Sequence, residues 1–313
     1  MPRESPRNPN QKAPMISGVI GFITRQLVRP YQPKQPPKKR VAVVVPLSNR
    51  SELSQDEKIS FRHLSHFLGK YDKFFIVPPE LEMQVDGFEL ARFSGKFFGS
   101  VAAHNRLLGS PEFYKRFSDY QYLFFYHLDS LAFSDQLSDW CEAGWDFIGP
   151  PFIHCEQTPW VKESRVGNGG FALLKVESAL KVLYNRYRQR PHCYWFDLYT
   201  RNGVFLLPWI RFLERLQNCF PGSKLIQRIL DEWQQSEDPI TYNRNNDTFW
   251  STKACQFLPQ FKVAPVEEGL RFAFEAAPRQ CLEMNQGRLP FGCHAWGRYD
   301  REFWTPHLLA SEQ

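Results

Sequence analysis

The chain has 313 residues, 42% apolar, 23% charged and 16% aromatic, enough for one large domain or two small ones with a sizeable core. This composition excludes a coiled coil, a collagen-like repeat and a wholly disordered chain. The net charge of +6 is uneven: residues 1–40 hold nine bases and one acid, and the other 273 hold 30 bases and 32 acids. The near-neutral body argues against nucleic acid as a partner.

Residues 1–40 contain eight prolines and read as a disordered, basic, Pro-rich arm. Within it, residues 15–28 (MISGVIGFITRQLV) have the pattern of one short amphipathic helix. Such a helix suits either loose packing or weak peripheral contact with an anionic membrane. No apolar run reaches the roughly 18–20 residues that span a bilayer. Pro and polar residues before Met15, with no small-residue cleavage site after, argue against a signal peptide. The seven cysteines are odd in number and scattered, so the expected compartment is a reducing cytoplasm.

From Val41 the pattern changes. VAVVVPL (41–47) reads as a strand buried on both faces, followed by an amphipathic helix at 54–68 with Ile59, Leu64, Phe67 and Leu68 on its apolar side. Short strands are expected at 74–77 and 88–93, helices at 99–108 and 111–117, and a strongly apolar strand at 120–128 ending at Asp129. Next come a helix at 134–143, a strand at 145–148, and a glycine turn that opens into a strand within 166–174. A helix follows at 176–188. This alternation predicts an α/β fold with a mainly parallel central sheet. Residues 190–240 read as a helical insertion, with helices around 209–216 and 224–234 and apolar Phe205, Trp209, Phe212 and Leu213 suited to a partner surface or an ordinary core. The segment 261–264 is strand-like, and 301–313 forms a C-terminal tail.

In open α/β sheets, ligands gather at the carboxyl ends of strands. Asp129 sits there, placed for a metal–diphosphate or a ribose hydroxyl, or else as a turn or cap residue. Alternation along the strand puts His127 on the same face, where it serves as a second ligand or as a core histidine. Gly167-Asn168-Gly169-Gly170 lacks Walker and Rossmann spacing, yet it allows close approach of a ligand to the backbone. Asn168 offers a donor and an acceptor to a sugar hydroxyl. Asp247, beside Phe249 and Trp250, suits a general base of raised pKa or a helix cap. His294 suits a metal ligand or a phosphate contact, or packs as an ordinary histidine. Zinc is disfavoured, because the His–Cys pairs are adjacent residues.

Six segments carry a resemblance: VAVVVPL (41–47), YLFFYHLDSLAF (122–133), VGNGGFALLK (166–175), NNDTFW (245–250), APVEEGLRFAFE (264–275) and LPFGCHAW (289–296). Together, across about residues 41–300, they resemble a bacterial domain family of unknown function whose members look like glycosyltransferases of the GT-A type. The resemblance implies a nucleotide-diphosphosugar-binding α/β sandwich that moves a sugar from a nucleotide-sugar donor to a hydroxyl of a glycan, lipid-linked or protein acceptor. It places Pro46, Ser48, Asn49 and Asp129 at the nucleotide. Asn168, Gly169 and Gly170 fall at the substrates, and Asp247 at the acceptor proton; apart from the resemblance, Trp296 beside His294 is expected to stack on the sugar or base of a substrate. Asp129 and His294, joined by His127, would hold a divalent cation, Mn or Mg. One departure matters: the family's Asp-x-Asp pair is here His127-Leu128-Asp129, with a single carboxylate. A sugar-nucleotide or glycan-binding module without catalysis is therefore the alternative, and metal dependence stays open.

Overall fold

The computed structural model describes residues 15–47, 52–201, 215, 217–223 and 246–310. Ser48, Asn49 and Asn245 lie outside these, as do the insertion helices expected around 209–216 and 224–234 apart from Arg215. The chain divides into two units, Tyr31–Leu183 with Glu237–Gln313 and Met1–Pro30 with Tyr184–Ser236.

The larger unit is built on a six-stranded sheet of β1 (Lys39–Pro46), β2 (Asp72–Val77), β3 (Phe88–Arg92), β4 (Tyr120–Tyr126), β6 (Phe147–Ile148) and β9 (Phe171–Lys175). Their order across the sheet is β3-β2-β1-β4-β9-β6. The first four run parallel, and β9 is antiparallel to both of its neighbours. The β-branched run of β1 is central because helices cover both faces. Val41, Val43 and Val45 pack with Leu64 and Leu68 of α2 (Gln55–Leu68) and with Leu137 and Cys141 of α5 (Leu137–Glu142). On the opposite face, Phe74 and Phe125 meet Phe117 and Phe113 at and beyond α4 (Pro111–Arg116), next to α3 (Val101–Leu108). Each such fully buried side chain contributes about 1.5–3 kcal/mol. Ser54 starts α2 through a complete capping box with Glu57.

A second, three-stranded sheet of order β10-β11-β5 joins Ala273–Phe274, Gly292–Cys293 and Leu131–Ala132. β7 (Pro151–Phe152) and β8 (Arg165–Val166) form a small hairpin that leads into the glycine-rich loop. The remaining helices of this unit are α8 (Asn246–Thr252), α9 (Ala254–Phe257), α10 (Val266–Phe272), α11 (Pro278–Met284) and α12 (Arg301–Trp304).

Three expectations change. The strand expected at 120–128 stops at Tyr126, because the Ser130 N–H donates to the His127 carbonyl (2.9 Å) and closes a turn. His127 and Asp129 are therefore related by a turn and not by strand alternation. The helix expected from 134 begins at Leu137, since residues 131–132 form β5 and the Phe133 N–H donates to the Phe291 carbonyl (2.9 Å). The 261–264 segment forms one bridge, Val263 with Phe147, and no strand of its own.

The smaller unit contains α1 (Met15–Leu27), the end of α6 (Val176–Gln189) and α7 (Pro191–Arg201). A helix is present where the 15–28 pattern predicts one. Trp195 Nε1 donates to Thr24 Oγ1 (3.0 Å), and Arg188 donates to the carbonyls of Arg25 (3.2 Å) and Val28 (2.7 Å). That guanidinium satisfies carbonyls left open at the carboxyl end of α1. Among the described residues, no helix is long and apolar enough to cross a membrane.

Candidate active site

A cavity of about 710 Å³ opens at the carboxyl ends of β1, β2 and β4, lined there by Pro46, Leu47, Ile76, Phe125 and His127. The glycine-rich loop (Asn168, Gly169, Gly170), the start of α8 (Asn246, Asp247), α3 (His104, Asn105) and the residues Glu275, His294 and Arg298 complete its wall. The size suits a ligand of several rings.

Strand pairing explains how residues distant in sequence meet here. β10 and β11 are parallel with Phe274 opposite Cys293, so the next residues, Glu275 and His294, leave side by side. β11 also pairs antiparallel with β5, Cys293 opposite Leu131, which sets His294 beside the turn that carries Asp129. The Trp296 N–H donates to the Asp129 carbonyl (3.1 Å) and ties the two segments together. His294 then lies between two carboxylates: Nε2 is 3.3 Å from Asp129 Oδ1, and Nδ1 is 3.1 Å from Glu275 Oε1.

The glycine loop is fastened to the same place. The His127 N–H (2.8 Å) and the Ser130 hydroxyl (3.2 Å) both donate to the Gly170 carbonyl, and the Gly170 N–H donates to Asn168 Oδ1 (2.7 Å). Any side chain at Gly170 would overlap the His294 ring, and a Cβ at Gly169 would sit 3.0 Å from Cβ of Asp247. These glycines let the loop approach the charged centre. The acceptor half of the Asn168 side chain is spent on the loop itself.

The electrostatics follow from burial and from these contacts. Burial opposes the charged form of His294, but its hydrogen bonds to Asp129 and Glu275 outweigh that and raise its pKa to about 10. Partial burial of the Asp129 carboxyl, whose side chain stays 55% exposed, works toward a higher pKa, and the His294 contact overrides it to about 2. Burial lowers His127 to about 3, aided by the charge of His294, and lowers His104 to about 4. Asp247 moves the other way: burial, with Glu275 adding repulsion, raises it to about 6 despite the Thr248 N–H that donates to its Oδ1 (2.6 Å).

One ligand atom from each of His127, Asp129 and His294 lies within 4.8 Å of the other two. Two further observations fit a cation at that point. Nε2 of His127 is buried without a hydrogen-bond partner. Glu275 holds Nδ1 of His294, the arrangement in which a carboxylate orients a ligating imidazole.

The structure thus gathers Pro46, Asn168, Gly169, Gly170, Asp247, His294 and His127 on one cavity, with Asp129 in contact with His294. Trp296, expected at the substrates, lies elsewhere. It is 0% exposed within the core cluster of Phe274 and Trp304, under the Arg301 guanidinium at 4.5 Å. Its ring packs in that core and does not line the cavity. Trp250 does reach the cavity, with its Nε1 donating to Asn246 Oδ1 (2.5 Å). Asp247 is the second residue of α8 and not its cap. Three residues escaped the sequence reading: Glu275, Arg298 and His104. Glu275 had the signal already noted for Asp129, a carboxylate directly after an apolar strand; the other two had none.

The family model described as "Protein of unknown function (DUF5672)" matches residues 87–294. No curated protein matches the chain. Among solved structures, the glycosyltransferase GlyE of Streptococcus pneumoniae TIGR4 is similar in its apo form at 13% identity and a TM-score of 0.42, covering 87% of this chain and 61% of that one. A second structure of GlyE is similar at 10% identity and a TM-score of 0.41, with the same coverages of 87% and 61%. The chain thus spans about three-fifths of the length of these neighbours.

Proposed function

The chain belongs to the DUF5672 family of proteins of unknown function, and from its cavity we propose that it is a glycosyltransferase of the GT-A type. It would move a sugar from a nucleotide-sugar donor to an acceptor hydroxyl. One observation carries the reading: a half-buried carboxyl of raised pKa, Asp247, shares a single cavity with His127 and His294, which form a ligand group with Asp129 at its edge. That pairs a proton acceptor with a place for the diphosphate of a donor.

In this reading the apolar end of the cavity, Pro46, Leu47 and Ile76, receives the nucleobase. His127, Asp129 and His294 would hold a divalent cation, which has to displace the proton that His294 holds beside Asp129, and two imidazoles among three ligands suit Mn²⁺ better than Mg²⁺. Such an ion, when bound, neutralises the diphosphate oxygens. Arg298 lines the same cavity and supplies a second positive charge to the leaving group. Asn168 and Gly169 border the sugar. The acceptor oxygen bonds to the anomeric carbon as the bond from that carbon to the phosphate oxygen breaks. Its electron pair leaves with the diphosphate, and the acceptor proton passes to the Asp247 carboxylate.

A panel of nucleotide sugars tests this through hydrolysis or transfer by the purified protein. Asp247→Asn should lower kcat by about 10²–10⁴-fold, the usual worth of a general base. Asp129→Ala should lower turnover and cation affinity together. Unchanged turnover in both variants overturns the site assignment. Binding of a nucleoside diphosphate without turnover on any donor would leave a binding module instead.

A further inference from the structure

The smaller unit holds the feature that the cavity chemistry does not use. On α1 and just after it, Gly21, Thr24 and Val28 are buried, with Thr24 and the carboxyl end of the helix hydrogen-bonded to α7 and α6. The other face presents Phe22 at 63% exposure, Ile23 at 43% and Leu27 at 58%, with exposed Arg25 and Arg29 beside them. Three large apolar side chains on one anchored helix form a patch of the kind that marks an interaction surface.

The charge says what covers it. By sequence, Met1–Pro30 with Tyr184–Ser236 holds 13 bases and five acids, a net +8. The larger unit holds 26 bases and 28 acids, a net −2. The whole positive surplus of the protein therefore belongs to the unit that exposes the apolar helix face. An amphipathic helix with aromatic and aliphatic residues on one side and arginines at its flank suits the boundary of an anionic bilayer: the apolar residues enter the acyl region and the cations meet lipid phosphates and carboxylates. A water-facing protein partner of ordinary composition would not need so large a surplus. We propose that α1 docks the protein peripherally on an anionic lipid surface, through Phe22, Ile23 and Leu27 with Arg25 and Arg29.

The experiment is vesicle co-sedimentation of the full chain. Vesicles of phosphatidylcholine with about 30 mol% phosphatidylserine should retain the protein, and phosphatidylcholine alone should not. Raising the salt to about 0.5 M should release it. The triple variant Phe22→Ser, Ile23→Ser and Leu27→Ser changes only exposed positions, so its circular dichroism and Tm should match the parent while vesicle binding is lost. Arg25→Glu with Arg29→Glu should weaken binding by about tenfold or more, since each cation near the surface attracts the anionic leaflet. Equal binding to neutral and anionic vesicles overturns the proposal, as does undiminished binding by the triple variant. A dimer seen by light scattering and dissolved by the triple variant also overturns it, since a second copy would then cover the face.

Discussion

Asp247 concentrates the cost and the use of the site in one carboxyl. Its pKa in the folded chain, about 6, lies above the ordinary value of 3.8 because burial disfavours the anion. The folded state thus holds this proton more tightly than the unfolded one, so stability is fullest below about pH 4 and falls as the pH rises through 6. Asp247→Asn removes that loss. The variant should be more stable than the parent by up to about 3 kcal/mol near neutral pH and no more stable near pH 4, as denaturant titration at the two pH values will read. Activity should run oppositely, rising with pH through about 6 in the parent as the base ionises. A flat pH–rate profile there would deny Asp247 that role. Glu275 acts through His294. Glu275→Gln keeps the shape and removes the charge, and should weaken Mn²⁺ binding by about 10–100-fold in calorimetry.

Among the elements, the short strands β5, β10 and β11 matter more than their two-residue lengths suggest. Their register sets Glu275 beside His294 and His294 beside the Asp129 turn. The glycine loop closes the arrangement, and there Gly170→Ala has a definite consequence. The methyl group must displace the His294 ring, so overpacking should lower stability by about 1–3 kcal/mol and cation affinity should fall with it. Retained affinity in a destabilised variant would show that His294 is not a ligand. α8 is held similarly, by the Asn246 N–H donating to Asn105 Oδ1 (3.2 Å). Much of this layer was legible in sequence: the β1 run, the apolar side of α2 and the glycine turn each carry a local signal. β5 and β11 carry none that shows their pairing, because it spans about 160 residues of chain.

For the molecule as a whole, cation binding is a stability statement. An ion that binds only the folded chain should stabilise it by about 2.7 kcal/mol at a hundredfold excess over Kd. The expected result is a Tm several degrees higher with Mn²⁺, abolished by chelator and absent in Asp129→Ala. No shift with any divalent ion would remove the metal from the reading without touching Asp247.

The α/β class, a mainly parallel sheet, an amphipathic pattern at residues 15–28 and the residues worth inspecting are legible in the sequence, because periodicity and glycine turns are local physics. Tertiary structure decided which of those residues converge. Pairing across the small sheet brought His294 to Asp129 and added Glu275, while Trp296 packs into the core. It also reassigned the charge. Along the sequence the +8 surplus lies in residues 1–40, a basic tail on a near-neutral body. In the folded chain the bases of residues 31–40 belong to the larger unit, and those of residues 184–236 join α1 in a unit of the same +8. Contacts between segments distant in sequence define that grouping, and no local pattern encodes them.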